Sequence, residues 1–370
     1  MNMVGIIFSN IYDTTLGDLT KHRTVASVPF GARYRQIDFV LSNMVNSNVT
    51  TVGVITKSYY QSLMDHLISR SEWDLNRKNG GLFILPPFAN GQTDVYRGKI
   101  EALYGALSFL KHCEQEYVVM SDSTTICNID YEDALESHIN SGADITVIAN
   151  KEPSFGGEEK RLLLTMENSK VTDLAIDCAT DRDMLSGMGM FIIGREYLIK
   201  IVEKCVAHGK YHFERDFLQP EFNNNAININ VYEFNNVVLR NDSVSAYYKN
   251  NFKLMDETVR KSIFAPDAPI YTKVRDEVPT FYGENAIVDD CLIADGCTIK
   301  GHIENCVIFR DVIIEEGCYV RNSIIMQGTT IEKGCSIDCT IMDKDVCIGR
   351  GRTLIGAETS PLIIHKAETV

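Results

Sequence analysis

Three stretches, "IADGC" (293–297), "IEEGC" (314–318) and "IEKGC" (331–335), repeat one pattern of an aliphatic residue, two mostly polar residues and a Gly-Cys pair. Around them the aliphatic positions step by six: Ile287, Ile293 and Ile299, then Ile314 to Val320, then Ile331 to Ile337. A period of six marks a parallel β-helix, in which one aliphatic side chain points inward on each flat side. Three sides make a coil of about 18 residues, and the Gly-Cys pairs lie near that spacing. Ordinary short antiparallel strands would not keep such a step. Cysteines after position 290 then serve as small residues at coil corners or in the inner stack.

Upstream, the pattern is different. Strand-like runs such as Val4–Phe8, "TTVGVIT" (50–56), "YVVMS" (117–121), "DITVIAN" (144–150) and "GMGMFIIG" (187–194) alternate with helix-like runs. The helical spacing is read at 59–69, 99–113, 131–142 and 195–209, the last two closing on a glycine. Such alternation predicts an open α/β sheet with helices on its faces. Between the halves, "FAPDAPIYTKVRDEVPTFYGEN" (264–285) holds three of the nine prolines and reads as an ordered, extended linker. The expected organisation is an α/β domain over 1–250, a linker over 251–283 and a β-helix over 284–370.

The chain has 370 residues, a formal net charge of −14 and a pI near 5.1. That balance disfavours a polyanion such as nucleic acid as partner, while a small anion needs only a few local cations. No apolar run reaches the roughly 18 residues needed to cross a bilayer, and no basic-then-apolar leader is evident, so a cytoplasmic protein without membrane contact is expected. Eleven cysteines without a C-x-x-C pair argue for free thiols rather than disulfides or zinc.

The first strand runs into a turn built from Ser9, Asn10, Ile11, Tyr12, Asp13, Thr14 and Thr15. In an α/β protein this is where a phosphate usually sits, cradled by backbone N–H groups that glycines let approach. Here no glycine occurs before Gly17 and no basic residue before Lys21.

Several motifs carry a resemblance. "SVPFGARYRQIDFVLSNMVNSNVTTVGVIT" (27–56), "WDLNRKNGGLFILPPF" (73–88), "YRGKIEALY" (96–104), "SGMGMFI" (186–192) and 269–309 together resemble the glucose-1-phosphate adenylyltransferases (ADP-glucose pyrophosphorylases), in that family's order. The resemblance implies a nucleotidyltransferase-like, Rossmann-type mixed sheet followed by a left-handed parallel β-helix. Tyr96 and Gly98 would be remnants of substrate binding.

Where the chain departs from the family, it departs at the chemistry. The family's loop glycines fall on Asn10, Ile11 and Asp13, its loop arginine on Thr15, and its next lysine on Val25. The sugar-phosphate motif is replaced by Ala175, Ile176, Asp177 and Cys178, and the second metal aspartate falls on Arg240. The first metal aspartate falls at Asp122 or, with the gap placed elsewhere, at Thr124. Asp122 and Asp216 are the possible catalytic remnants, and no metal is expected to bind this chain. Nucleotidyl transfer needs a metal and cations on the transferring phosphoryl group, and each lost contact costs about 10²–10³ in rate.

The resemblance therefore implies a non-catalytic, regulatory subunit that assembles with an active catalytic subunit, as a heterotetramer, in glycogen biosynthesis. Mg2+ would belong to that partner and no cofactor to this chain. Lys21, Arg23, Arg33 and Arg35 are candidate contacts for a phosphorylated small-molecule effector, a solvated basic face being the alternative. Two further readings stay open: an active adenylyltransferase with Asp122 and Asp216 holding magnesium, and a stand-alone effector or nucleotide-binding module. An acyltransferase would need a histidine between coils, and His302 and His365 sit beside no recognisable donor site.

Overall fold

A computed structural model describes residues 2–9, 15–68, 71–87, 96–151, 161–168, 170–176 and 184–370. The readings at Asn10, Ile11, Asp13, Asp177 and Cys178 fall outside the described residues.

The first half is built on a nine-stranded mixed sheet. Its strands are β1 (Met3–Phe8), β2 (Thr51–Ile55), β3 (Gly81–Leu85), β4 (Tyr117–Asp122), β5 (Ile145–Asn150), β6 (Leu162–Glu167), β7 (Lys170–Ile176), β8 (Met184–Gly194) and β9 (Ile229–Glu233). Strands β4, β1, β2 and β3 run parallel in that order. Every residue of β1 is buried, which suits an almost wholly apolar strand covered on both faces. The long strand β8 is antiparallel to β4 on one side and to β5 on the other.

Helices α1 (Gln36–Asn46), α2 (Gln61–Leu67) and α5 (Tyr131–Ser141) pack on one face of the sheet, with Ile37, Leu63 and Ala134 in that core. Helices α3 (Lys99–Gly105), α4 (Leu107–His112) and α6 (Arg195–Ala207) pack on the other, through Ile100, Leu103, Leu110 and Leu198. The single helix expected over 99–113 is thus two. The break falls at Ala106, beside Gly105, whose Cα lies so close to the Tyr96 hydroxyl that a Cβ would stand 2.7 Å from it.

No helix forms between 264 and 280, but the linker expected over 251–283 opens helical, with the end of Val244–Lys253 and all of Glu257–Ile263 inside that range. The second starts where the Asp256 carboxylate accepts the Thr258 and Val259 N–H groups. By Phe281 the chain has joined the β-helix, donating its N–H to Cys297.

From there the strands are parallel and stack coil on coil. Ile299, Ile314, Ile331 and Ile348 pair in one buried column, and Ile303, Val320 and Ile337 in another. Coils take 15 residues from Ile299 to Ile314 and 17 from Ile314 to Ile331, slightly fewer than the expected 18. Gly296, Gly317 and Gly334 turn the corners with φ of +81°, +72° and +75°, conformations costly to a side chain. The following Cys297, Cys318 and Cys335 are buried.

The halves share a core. Phe30, Phe39 and Tyr247 of the α/β domain pack with Val307, Phe309, Ile324 and Met326 of the β-helix. Among the described residues no helix is long and apolar enough to cross a membrane.

Candidate functional site

Two polar clefts are candidates. The first lies at the C-terminal ends of β1 and β4, where Phe8 pairs with Asp122. Open α/β sheets bind their ligands beyond such strand ends. Asp122, Thr124, Gly187, Glu214 and Arg240 line it.

Lys99 stands at its centre. The side chain leaves the first position of α3, is only 2% exposed, and donates from Nζ to Asp122 Oδ2 at 2.8 Å and Glu214 Oε1 at 2.6 Å. The ammonium is also within 5.7 Å of the Phe8 ring centroid and 5.4 Å of that of Phe191. Gly98 lets α3 begin this deep in the structure: a Cβ there would lie 2.4 Å from the Tyr211 carbonyl oxygen. Burial pushes the Asp122 carboxyl up, against the pull of Lys99, and Glu214 adds to the rise.

Arg240 is the neighbouring cation, buried and fixed by a hydrogen bond from Nη2 to Gly187 O at 2.7 Å, with Nη1 3.3 Å from Ser186 Oγ. Arg161 pairs with Asp242 on the cleft wall. Asp216 does not join Asp122. Its Oδ2 accepts the Tyr211 and His212 N–H groups at 2.8 and 2.9 Å, tying down the turn that packs on Gly98. Burial raises the Asp216 pKa, but the two N–H donors outweigh it and leave the carboxyl below its usual range. Tyr96 lies against Gly105 and burial raises its phenol pKa.

Magnesium does not fit the residues present. It needs carboxylate oxygens free to ligate, and the two converging carboxylates are already held by an ammonium with a guanidinium close by. Among the described residues no group of three or more His, Cys, Asp or Glu could hold a metal ion.

The second cleft lies between the domains and is open to solvent. Six cations line it: Arg33 and Arg35 from the α/β domain, Lys273 and Arg275 from the linker, Arg310 and Lys344 from the β-helix. Arg35 reaches Ser62 O at 2.6 Å, and burial pulls its guanidinium pKa down to about 10. Burial and the nearby arginines push Lys344 down to about 7. Arg310 is 7% exposed, and its Nη2 is buried with no hydrogen-bond partner among the described residues. An orphaned buried donor in a cationic cleft is suited to accept an anion.

Of the four cations singled out in the sequence, Arg33 and Arg35 line this cleft. Arg23 instead forms a buried ion pair with Asp343, and Lys21 is an exposed partner of Asp18. The sequence reading missed Lys99, Glu214, Arg275, Arg310 and Lys344. Only Lys99 carried a local signal, a charge next to Ile100 on the apolar face that also holds Leu103.

The fold and first cleft define a nucleotidyltransferase-like protein with a β-helix appended. Family models agree: Nucleotidyl transferase matches residues 4–156, and GlmU-like, C-terminal hexapeptide matches 277–360. The glycogen biosynthesis protein GlgD of Bacillus subtilis is 37% identical over 366 residues, covering 98% of this chain and 96% of that protein. GlgD of Geobacillus stearothermophilus is 35% identical over 86% of this chain and 82% of its own length. The glucose-1-phosphate adenylyltransferase of Lachnospira eligens is 31% identical over 85% and 74%. The chain belongs to the family made up of the GlgD proteins and the glucose-1-phosphate adenylyltransferases.

Proposed function

We propose that this chain is a catalytically degenerate, regulatory subunit of a hetero-oligomeric glucose-1-phosphate adenylyltransferase in glycogen biosynthesis. The observation that carries the reading is the ion cluster of Lys99, Asp122 and Glu214, with Arg240 beside it. The cleft where phosphoryl transfer would occur is filled and neutralised by the chain's own side chains. Glucose-1-phosphate adenylyltransfer, ATP plus glucose-1-phosphate to ADP-glucose plus pyrophosphate, would be left to an active partner subunit that binds Mg2+, in a heterotetramer.

The cationic cleft supplies the regulatory arm. Its cations come from both domains and the linker, so an anionic, phosphorylated small molecule bound there would bias how the β-helix sits against the α/β domain. A ligand acts in this way when it binds two global states with different affinity. The test is to co-express the chain with the matching catalytic subunit. Co-purification with a changed rate or a changed response to phosphorylated effectors supports the reading; an unchanged partner overturns it.

A further inference from the structure

We propose that the Lys99 ammonium is the resident cation of the first cleft, standing where Asp122 and Glu214 converge and thereby keeping divalent ions out. The inference rests on the reading of that cleft as a nucleotidyltransferase-like site without its chemistry, but concerns ion occupancy rather than turnover.

The geometry is that of a filled ion site. Two carboxylate oxygens, one from a strand end and one from the helical turn Phe213–Leu218, meet a single point charge at 2.8 and 2.6 Å. Lys99 pairs with both carboxylates, and the Arg240 guanidinium lies close enough to act on Asp122 through its charge. Magnesium usually keeps several of its waters when it binds, and here the ammonium already takes the carboxylate oxygens it would share. Phe8 and Phe191 flank the ammonium, and Lys99 is 2% exposed.

Asp122, Arg240 and Lys99 are also pinned. Asp122 presses on Gly189, where a Cβ would lie 2.4 Å from Oδ2, so the carboxylate is backed by the chain. Arg240 is anchored on Ser186 and Gly187. Lys99 is fixed at the start of α3, whose Ile100 N–H bonds Tyr211 O at 3.0 Å. An ion would have to displace a paired, buried ammonium, leaving that charge without its partners.

The test is a Mn2+ titration of the full chain, read by electron paramagnetic resonance, without substrate or partner subunit. The wild-type chain should show no saturable Mn2+ site that Glu214→Gln removes. Lys99→Met keeps the length of the side chain and removes its charge; it should gain one Mn2+ site, with affinity at least about tenfold above wild type, that a second change, Asp122→Asn, abolishes. Lys99→Arg keeps a cation and should gain none. A wild-type Mn2+ site lost in Glu214→Gln overturns the proposal. So does a folded Lys99→Met chain that gains no affinity. If Lys99→Met fails to fold, the wild-type and Lys99→Arg titrations still decide, since a saturable site in either that Glu214→Gln removes overturns it. Failure here leaves the regulatory reading standing, because that reading is tested on a partner's rate.

Discussion

Arg23 and Asp343, 320 residues apart, form an ion pair in which Nη2 lies 2.6 and 2.5 Å from the two carboxylate oxygens, with both side chains about 95% buried. One belongs to the α/β domain and the other to the β-helix, so the pair fixes how the domains meet. Removing one member strands the other charge in the interior. Arg23→Met or Asp343→Asn should each destabilise the chain by about 3–5 kcal/mol. The double variant should cost less than the sum of the two. Chemical denaturation of the three variants measures this, and additive losses would mean that the pair is not coupled.

Lys344 makes the cationic cleft sensitive to pH. Its folded pKa is depressed from 10.5 to about 7, through burial and the charges of Arg35, Arg23 and Arg275, against the pull of Asp343. Between those values the unfolded chain holds more protons than the folded one. Stability from this group therefore rises with pH across that window, and below pH 7 its cost is fully present. An anion in the cleft has the opposite preference, since it favours charged Lys344. Sulfate, which does not titrate here, should bind more tightly as pH falls from about 8.5 toward 7 and level off below. Lys344→Met should flatten that dependence in a calorimetric titration.

Arg310 lines the cleft with its Nε paired to Asp295 at 3.2 Å and its buried Nη2 without a partner among the described residues, which leaves part of its charge for an anion. Arg310→Gln should weaken sulfate binding by about tenfold, the effect of losing one charge-assisted hydrogen bond. Lys21→Gln, at an exposed position paired with Asp18, should leave sulfate affinity within about twofold. Equal losses in both variants would place the anion elsewhere.

The β-helix depends on its inner columns. Ile314 is fully buried between Ile299 and Ile331, whereas its neighbour Ile313 points outward and is 38% exposed. Ile314→Ala should cost about 2–5 kcal/mol and Ile313→Ala about 1 kcal/mol or less. Thermal unfolding of the two variants separates them.

The step of six in the aliphatic positions made the β-helix legible, because one inward residue per side is a property of the repeat itself. Coil length was overestimated because the Gly-Cys pairs do not all mark one corner: Gly317 stacks on Gly334, 17 residues on, whereas Gly296 stacks on Asp311, 15 residues on. The strands of the α/β domain were legible for a similar reason: Val4–Phe8 and Ile145–Asn150 are apolar runs of strand length. The break at Ala106 was not, because it answers to Tyr96 packing on Gly105 rather than to helical spacing. The candidate site was legible mainly as a set of replaced residues. Its new occupant was not, because Lys99, Asp122 and Glu214 are separated by 23 and 115 positions from the lysine and converge only in the fold. The cationic cleft likewise gathers Arg35, Arg275 and Lys344 from three segments, none of them a basic run.

The most direct test of the central claim is pyrophosphate release from ATP and glucose-1-phosphate with Mg2+, measured on this chain alone and on the chain co-purified with its catalytic partner. No turnover by the chain alone and an altered rate or effector response in the complex are expected. Turnover by the isolated chain at the rate of an ordinary glucose-1-phosphate adenylyltransferase would contradict it.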